Sequence, residues 1–377
     1  MSTVLDRARK ADDGRVRLVS GLRGRWYGLA PGWRAAVVIA FVVFLYSLPG
    51  LDIPLLTTPE TDFNSVLFLC AVYVLVAVGL NVVIGLAGLL DLGYIGFYAV
   101  GAYTVAIFGS PNSPVVIQYP WIVCIPLAIA FTMVSGVILG WPTLRLRGDY
   151  LAIVTLGFGE IIRVFALNSD ITNGNRGITG VPRPSGTWPQ WLGWFPGVEV
   201  GAPIFSITNV LGFYWLALTV VIVCILSVRR LENSRVGRSW LAIREDEEAA
   251  EIMGVPTFKY KLWAFAIGAA LGGLSGALFY SKQTFVNAQG FDLFTSILWV
   301  AAVVVGGAGN QFGVALGAVL LAYLPERFRG FADYRLLAFG AALIAMTIFR
   351  PQGLIPSRRR AVELKDAAKE VRPGEGV

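Results

Sequence analysis

The sequence contains no histidine, and charged residues occupy only 15% of its 377 positions. Histidine is a common metal ligand and the side chain that most often transfers protons near neutral pH, so its absence argues against metal-dependent enzymes and most acid–base enzymes. Soluble domains carry roughly 25% charged residues. A chain of this length with so much less charge could not cover a soluble surface, which argues against a soluble protein.

Cysteine is also scarce. Cys70, Cys124 and Cys224 each lie inside an apolar run, and no two of them have the spacing of metal ligands. We interpret them as small buried residues. No catalytic residue, metal site or cofactor is predicted on this chain.

Hydrophobic residues make up 56% of the sequence and come in blocks of about twenty, the length at which a helix crosses a bilayer core of roughly 30 Å. The blocks predict an all-α polytopic membrane protein with about ten transmembrane helices. They lie near residues 34–50, 66–85, 91–109, 120–143, 150–168, 209–228, 260–281, 294–309, 312–326 and 335–349. The pair 294–309 and 312–326 also fits one span broken by a re-entrant turn at residues 306–310, which would give nine spans.

Glycine recurs at helical spacing inside these blocks. Two runs place a glycine at every fourth position, namely Gly268, Gly272 and Gly276, and then Gly309, Gly313 and Gly317. Small residues at this spacing let helix backbones approach closely in a membrane, where the hydrophobic drive between helices is weak. The runs therefore predict tight helix packing.

The basic residues are biased to one side of the predicted topology. With the N-terminus in the cytoplasm, 24 of the 31 lysine and arginine residues fall on the cytoplasmic side and six on the outer side. This is the pattern of topology determinants, so the net charge of +7 requires no nucleic-acid partner. The predicted organisation is a basic cytoplasmic tail 1–33, a transmembrane region 34–349 and a cytoplasmic tail 350–377, with both termini in the cytoplasm.

The longest predicted connection on the outer face covers residues 169–208. Loops of this length are often functional, and tryptophans such as Trp188 favour the membrane interface. The loop is predicted either to dock an extracytoplasmic partner or to anchor the chain at the interface. The candidate docking residues are Thr172, Asn173, Gly174 and Gly177.

The predicted inner loop 229–259 contains the pattern of a single short amphipathic helix. Acidic residues at 245–248 suit an early helical turn, where the helix dipole is positive, and Gly254 followed by Pro256 predicts the helix end. One apolar face is expected from Trp240, Ile243, Ala250 and Met253. Such a helix either seats in a groove on a soluble partner or is a solvated connection.

Three charged residues fall in or beside predicted spans, where ionisable groups are costly and often functional. Glu160 and Arg163 are three residues apart and can pair on one helix, while Asp91 follows a glycine-rich break and either caps the next helix or contacts a transported molecule. The candidate pathway residues are Asn81, Asp91, Tyr94, Tyr98, Glu160 and Arg163.

Several stretches of the chain resemble the permeases of branched-chain amino acid ABC importers. They are GLNVVIGLAGLLDLGY (79–94), GDYLAIVTLGFGEIIR (148–163), GRSWLAIREDE (237–247) and RPQGL (350–354), together with Glu248-Ala249-Ala250 followed by Gly254, which resembles the Glu-Ala-Ala-x-x-x-Gly coupling signature. The Ile-x-Leu-Pro continuation of that signature is missing. Within the family, the chain resembles the longer of the two permease subunits.

This resemblance implies the ABC importer permease fold in the bacterial cytoplasmic (inner) membrane. The implied partners are a second homologous permease subunit, two cytoplasmic ATPase subunits and an extracytoplasmic substrate-binding protein. The ATPase-coupling residues that it implies are Arg238, Trp240, Arg244, Glu245, Asp246, Glu248, Ala249 and Gly254. The chain has no Gly-x-x-x-x-Gly-Lys-Ser/Thr phosphate loop, so ATP and Mg are expected on the partner ATPases and the chain is not expected to be an enzyme.

The substrate is left open among related molecules. Related permeases carry urea, short amides or other amino acids as well as branched-chain amino acids, and this chain is expected to form half of the pathway. An ion-coupled secondary transporter is the alternative mechanism. It would need a proton or sodium site inside the membrane, which three scattered charges and no histidine supply poorly.

Overall fold

The computed structural model describes residues 30–51, 62–115, 117–145, 149–190, 195–196, 198, 200–206, 209–327, 340–341, 344 and 353–355. The chain divides into two compact units, Met1–Thr57 and Thr58–Val377, and in the first the described residues form an α-helix, Pro31–Ser47, followed by a 3-10 turn, Leu48–Gly50. The helices are α1 (Pro31–Ser47), α2 (Phe63–Leu80), α3 (Tyr94–Gly109), α4 (Trp121–Thr143), α5 (Asp149–Asn168), α6 (Leu211–Glu232), α7 (Arg235–Glu245), α8 (Glu247–Ile252), α9 (Thr257–Gln283), α10 (Leu293–Gly306) and α11 (Gln311–Arg327).

Six of the described helical segments are long and apolar enough to cross a membrane. They are Phe63–Leu86, Trp121–Thr143, Tyr150–Asn168, Leu211–Glu232, Thr257–Gln283 and Ala288–Gly306, with shorter apolar helices at Ala35–Gly50 and Tyr94–Gly109. The expected count of about ten spans is therefore not confirmed. Most of the tenth predicted segment, 335–349, lies outside the described residues, as do most of the tails 1–33 and 350–377.

Helix α2 is the most buried of the candidate spans. Its start is defined by Asp62, whose carboxylate accepts hydrogen bonds from the backbone N–H groups of Asn64 and Ser65, satisfying donors that the first turn leaves free. The apolar run that follows is buried over 78% of its most hydrophobic window. It continues past Leu80 as a π-helical turn, Asn81–Leu86. A non-helical segment, residues 87–93, then leads to α3.

Glycines bring α9 against α3, as the spacing of small residues predicts. A Cβ added to Gly101 in α3 would lie 2.0 Å from the carbonyl oxygen of Gly273 in α9. A Cβ added to Gly276 would lie 2.0 Å from the carbonyl oxygen of Tyr98. Both distances are far below van der Waals contact, so only glycine permits this backbone-to-backbone packing.

Helices α10 and α11 form an antiparallel hairpin. A Cβ on Gly306 would lie 2.4 Å from the carbonyl oxygen of Gly313, and one on Gly317 would lie 2.3 Å from the carbonyl oxygen of Ala302. The chain thus turns back at residues 307–310. Gly309 belongs to this turn and not to a helix, so only Gly313 and Gly317 of the second predicted glycine run pack between helices.

The expectation of a wholly helical fold needs one small correction. Two-residue strands β1 (Ile178–Thr179) and β2 (Phe285–Val286) pair antiparallel, with Ile178 opposite Val286. Strand β1 follows α5 and strand β2 follows α9, and the two segments lie side by side. Their backbone N–H and C=O groups hydrogen-bond to each other because neither segment is helical.

Candidate functional site

Residues 234–255, called here the coupling segment, form two short helices rather than the single predicted helix. Asp246 adopts an extended backbone conformation (φ −155°, ψ 111°), which ends α7. Its side chain then accepts a hydrogen bond of 2.9 Å from the backbone N–H of Ala249 and caps α8. Glu247 and Glu248 occupy the first turn of α8 and Asp246 caps it, so these three lie at a helix N-terminus as predicted, but it belongs to the second helix. Glu245 is instead the last residue of α7.

The apolar side chains of the coupling segment divide into buried and exposed groups. Trp240, Ile243 and Ala250 are buried, and the Trp240 indole N–H donates a 2.7 Å hydrogen bond to the carbonyl oxygen of Tyr260. Met253 is 82% exposed, so its prediction as part of this face was wrong. The break at Asp246 resets the helical register, which carries Met253 away from the face that Trp240 defines.

The tip of the coupling segment is an exposed apolar pair. Ile252 is 85% exposed and adjoins Met253 at the end of α8. Sequence reasoning missed Ile252, although two apolar residues directly before Gly254 at the end of an acidic helix were a usable signal. Exposed neighbouring apolar side chains on a polar segment are typical of a contact surface.

Gly254 ends α8 as predicted. Its φ of +84° lies in the left-handed region, and its N–H donates to the carbonyl oxygen of Glu251 while the N–H of Val255 donates to that of Ala250. This pair of bonds is a Schellman motif, in which glycine is favoured because it has no Cβ to strain. The motif fixes the orientation of the Ile252–Met253 tip relative to the buried Ala250.

The polar residues of the coupling segment are mostly exposed. Arg238, Glu245, Asp246 and Glu248 are exposed, as is the small apolar Ala249. Glu247 forms an ion pair with Lys261 in the first turns of α9. The segment is therefore fixed to the bundle by Trp240 and Lys261 and presents its charged side chains outward.

Arg244 faces the bundle instead. It is partly buried, and its guanidinium donates a hydrogen bond to the carbonyl oxygen of Gly85 in the π-helical turn of α2. A Cβ on Gly88, which has a φ of +73°, would lie 2.7 Å from the Arg244 side chain. This hydrogen bond connects the coupling segment to the C-terminal end of Phe63–Leu86, the most buried candidate span.

Asn81 joins the same π-helical turn to the α10–α11 hairpin. This side chain is fully buried, and its Oδ1 accepts a 2.8 Å hydrogen bond from the backbone N–H of Gly309. We call Asn81, Gly85, Arg244 and Gly309 the polar junction. Residues 353–355 adjoin it, because the N–H of Leu354 donates to the carbonyl oxygen of Val305 at 2.7 Å.

Three more of the predicted pathway residues lie inside the bundle. Asp91 is fully buried, and its Oδ1 accepts a 2.9 Å hydrogen bond from the N–H of Gly93 in a local turn. The N-cap residue of α3 is Gly93, and no side chain caps this helix, so the predicted capping role of Asp91 was wrong. The hydroxyl of Tyr94 donates to the carbonyl oxygen of Gly268 at 2.8 Å. Tyr98 packs on Trp299, with ring centroids 5.0 Å apart. These contacts stabilise helix packing, and the pathway role of the residues stays a prediction.

Glu160 and Arg163 differ from the other four because both are partly exposed. Their side chains pair within α5, as their spacing predicts, and the exposed fractions are 44% for Glu160 and 32% for Arg163. The Arg163 Nε atom lies 2.9 Å from Glu160 Oε2. The structure therefore separates the predicted pathway residues into a buried set and a pair on the surface of the chain.

The predicted docking residues hold a compact turn after α5. Thr172 is buried, and its hydroxyl donates to the carbonyl oxygen of Ala166 at 2.7 Å. Asn173 has a φ of +61° and its Nδ2 donates to the carbonyl oxygen of Gly177 at 2.8 Å. Gly174 and Gly177 both have positive φ. Within the rest of loop 169–208, Trp188 is buried against Trp215, whereas residues 191–194, 197, 199 and 207–208 lie outside the described residues.

Comparison with known proteins gives a consistent result. A family model described as branched-chain amino acid transport system / permease component matches residues 63–349. The chain is 41% identical over 313 residues to the high-affinity branched-chain amino acid transport system permease protein LivM of Escherichia coli K12, covering 80% of this chain and 71% of that protein. No solved structure matches the chain significantly.

More distant relatives extend the similarity. The chain is 28% identical over 258 residues to the probable branched-chain amino acid transport permease protein LivM of Methanocaldococcus jannaschii, covering 63% of this chain and 68% of that protein. It is also 23% identical over 314 residues to the LivH permease protein of Escherichia coli K12, covering 78% of this chain and 94% of that protein. The chain is thus similar to both kinds of permease.

Proposed function

Because the chain belongs to the family of branched-chain amino acid transport system permease components, we propose that it is a transmembrane permease subunit of an ATP-driven importer of branched-chain amino acids. The observation that carries the proposal is 41% identity to a LivM protein over 80% of the chain. The chain is a multi-pass membrane protein of helical architecture. Its implied pathway is shared with a second homologous permease.

The membrane arrangement that we propose has about ten spans, or nine, with both termini in the cytoplasm of a bacterial inner membrane. The distribution of lysine and arginine supports this orientation. The coupling segment then lies in the cytoplasm, and the turn that contains Thr172, Asn173, Gly174 and Gly177 lies outside, where an extracytoplasmic binding protein delivers substrate. In that turn Asn173 and Gly174 are partly exposed and available for docking, whereas the buried Thr172 and Gly177 hold its shape.

In this proposal the importer has two cytoplasmic ATPase subunits, which hold ATP and Mg, and the coupling segment is where this chain contacts an ATPase. The supporting feature is the exposed Ile252–Met253 tip beside Glu248. An exposed apolar pair rimmed by charged side chains suits a groove on a soluble protein, because burial of apolar area drives association while the rim sets orientation.

The polar junction transmits movement of the coupling segment to the membrane region. Arg244 contacts Gly85 at the broken end of α2, and Asn81 in the same turn contacts Gly309 in the α10–α11 hairpin. A displacement of α7 is therefore passed through hydrogen bonds to two membrane helices. Charge-assisted hydrogen bonds such as that of Arg244 are strong and directional enough for this role.

Substrate and mechanism are tested by uptake of radiolabelled leucine in cells that have or lack this chain. The expected result is ATP-dependent uptake that isoleucine and valine compete away and urea does not. Competition by urea or short amides would assign the same machine a different substrate. Uptake that persists without ATP and collapses with an ionophore would contradict the proposal and favour an ion-coupled transporter.

Docking of the tip is tested with the double variant Ile252→Asn/Met253→Asn. We expect it to insert in the membrane normally but to lose copurification of the ATPase subunits and ATP-dependent uptake, because the apolar contact is removed. The matched control, Ile252→Leu/Met253→Leu, keeps the apolar character and should retain both. Equal ATPase binding by the two double variants would exclude this surface as the docking site.

A further inference from the structure

The ion pair of α5 lies on one of the two least buried candidate spans. Only 28% of the most hydrophobic window of Tyr150–Asn168 is buried, compared with 78% for Phe63–Leu86. Glu160 and Arg163 nevertheless lie within this span and are partly exposed. Ionisable side chains inside a membrane are costly and almost always face protein or a water-filled space rather than lipid.

The exposed side of α5 has a definite composition. Ile153, Gly157, Ile161 and Val164 recur at spacings of three and four, so they share one helix face. Nothing lies within 4 Å of a Cβ added to Gly157. Glu160 is three residues after Gly157 and hence beside it on the helix surface. These residues, with Arg163 along their edge, are called the α5 face.

A third charged residue lies in a segment that follows a turn packed on α5. Asp292 is exposed immediately before α10, and the turn Ala288–Gly290 that precedes it packs against α5. On α5 itself the charged groups are the paired side chains of Glu160 and Arg163. Charged groups within a span are costly in a hydrocarbon environment.

Helix α4 shows what a lipid-facing span of this chain looks like. Only 22% of its most hydrophobic window is buried, and Trp121–Thr143 contains no charged residue. Its strongly exposed residues are apolar and large, for example Phe131, Val134 and Ile138. The two spans are equally unburied, but α4 meets the requirements of lipid and α5 does not.

We infer that the α5 face contacts the second permease subunit and that Glu160 and Arg163 line the aqueous pathway between the two. The inference rests on the proposed function. A second permease is the occupant that the observations favour, because the chain is similar to both LivM and LivH permeases. Gly157 leaves room for a partner helix to approach closely, and a water-filled seam accounts for the charges.

The contact is tested by placing a photo-cross-linking amino acid at Gly157 or Ile161 in the fully assembled complex in membranes, with an epitope tag on the second permease. The expected product carries the tag and has the combined mass of the two permeases. The same amino acid at Val134 or Ile138, which are 55% and 67% exposed on α4, should give no such product. Equal products from both helices, or none from α5 in a complex that still copurifies and transports, would overturn the inference.

The aqueous seam has its own readout. The native cysteines Cys70, Cys124 and Cys224 are all buried, which keeps the background of surface labelling low. Arg163→Cys should react with a membrane-impermeant thiol reagent and should be protected by saturating substrate, whereas Ile138→Cys should not react. Absence of labelling at Arg163→Cys in an assembled complex would overturn the aqueous assignment. If cells that lack this chain take up leucine as well as cells that have it, the proposed function is overturned instead.

Discussion

Arg244 offers the sharpest test of coupling, because its charged hydrogen bond joins α7 to the π-helical turn that follows α2. Its guanidinium donates to the carbonyl oxygen of Gly85. A hydrogen bond that involves a charged group contributes about 1.5–3 kcal/mol. Since Arg244 is only partly buried, we take the lower part of that range, about 1.5–2 kcal/mol. This corresponds to a change of roughly ten- to thirtyfold in the equilibrium that the contact biases.

The variant Arg244→Ala should therefore reduce substrate transported per ATP hydrolysed by roughly ten- to thirtyfold, if the contact is made in one transport state and broken in the other. The assay measures uptake and ATP hydrolysis by purified complex in proteoliposomes, with loaded binding protein. Basal hydrolysis should persist, because no ATPase residue is altered. Arg244→Lys keeps the charge but loses the planar donor and should give an intermediate ratio.

A control and a second variant separate coupling from folding. Arg235→Ala changes an exposed arginine at the start of the same helix and should leave the ratio unchanged. Asn81→Ala removes the bond to Gly309 at the other side of the polar junction and should reproduce the loss, with the complex still assembled. A wild-type ratio of uptake to hydrolysis in an intact Arg244→Ala complex would refute the transmission mechanism.

Three further substitutions test the local geometry. Gly101→Ala should destabilise the purified chain by ~1–3 kcal/mol, because the added Cβ would lie 2.0 Å from the Gly273 carbonyl oxygen. The control Gly157→Ala places its Cβ in open space and should not lower Tm. Equal Tm values for the two variants would contradict the packing of α3 on α9. Gly254→Ala should cost ~1–2 kcal/mol, because alanine is strained at the φ of +84° that Gly254 adopts. Asparagine tolerates this conformation better, so Gly254→Ala should weaken ATPase copurification more than Gly254→Asn. The reverse order would argue against the left-handed cap. Lys261→Met should change the free energy of unfolding by less than ~1 kcal/mol, since Glu247 in this pair is 47% exposed; a larger loss in chemical denaturation would show a stronger ion pair.

Local patterns account for what could be predicted without a structure. The helical blocks follow from runs of apolar residues, the end of α8 follows from Gly254, and the Glu160–Arg163 pair follows from its spacing of three. Each depends on residues within about one or two helical turns, so each can be read from the chain itself. The family resemblance also depends on contiguous motifs, and the comparisons confirm it.

The break at Asp246 lies at the limit of this reasoning. An acidic residue suits both the interior of an amphipathic helix and the cap of a new one, and the sequence pattern does not separate the two. The extended backbone at Asp246 and its bond to Ala249 decide for a cap. That local choice removed Met253 from the buried face and exposed the Ile252–Met253 tip.

Only the tertiary structure decided what the buried polar residues do. Arg244 and Gly85 are 159 residues apart, and Asn81 and Gly309 are 228 residues apart. Periodicity reports which face of a helix is apolar, but it carries no information on which distant backbone group a polar side chain will meet. The sequence by itself thus determined a helical membrane permease and located the loop that we propose couples it to an ATPase. Helix packing decided which polar residues bind one another inside the bundle and left the Glu160–Arg163 pair on its surface, because such contacts form only when distant segments are brought together.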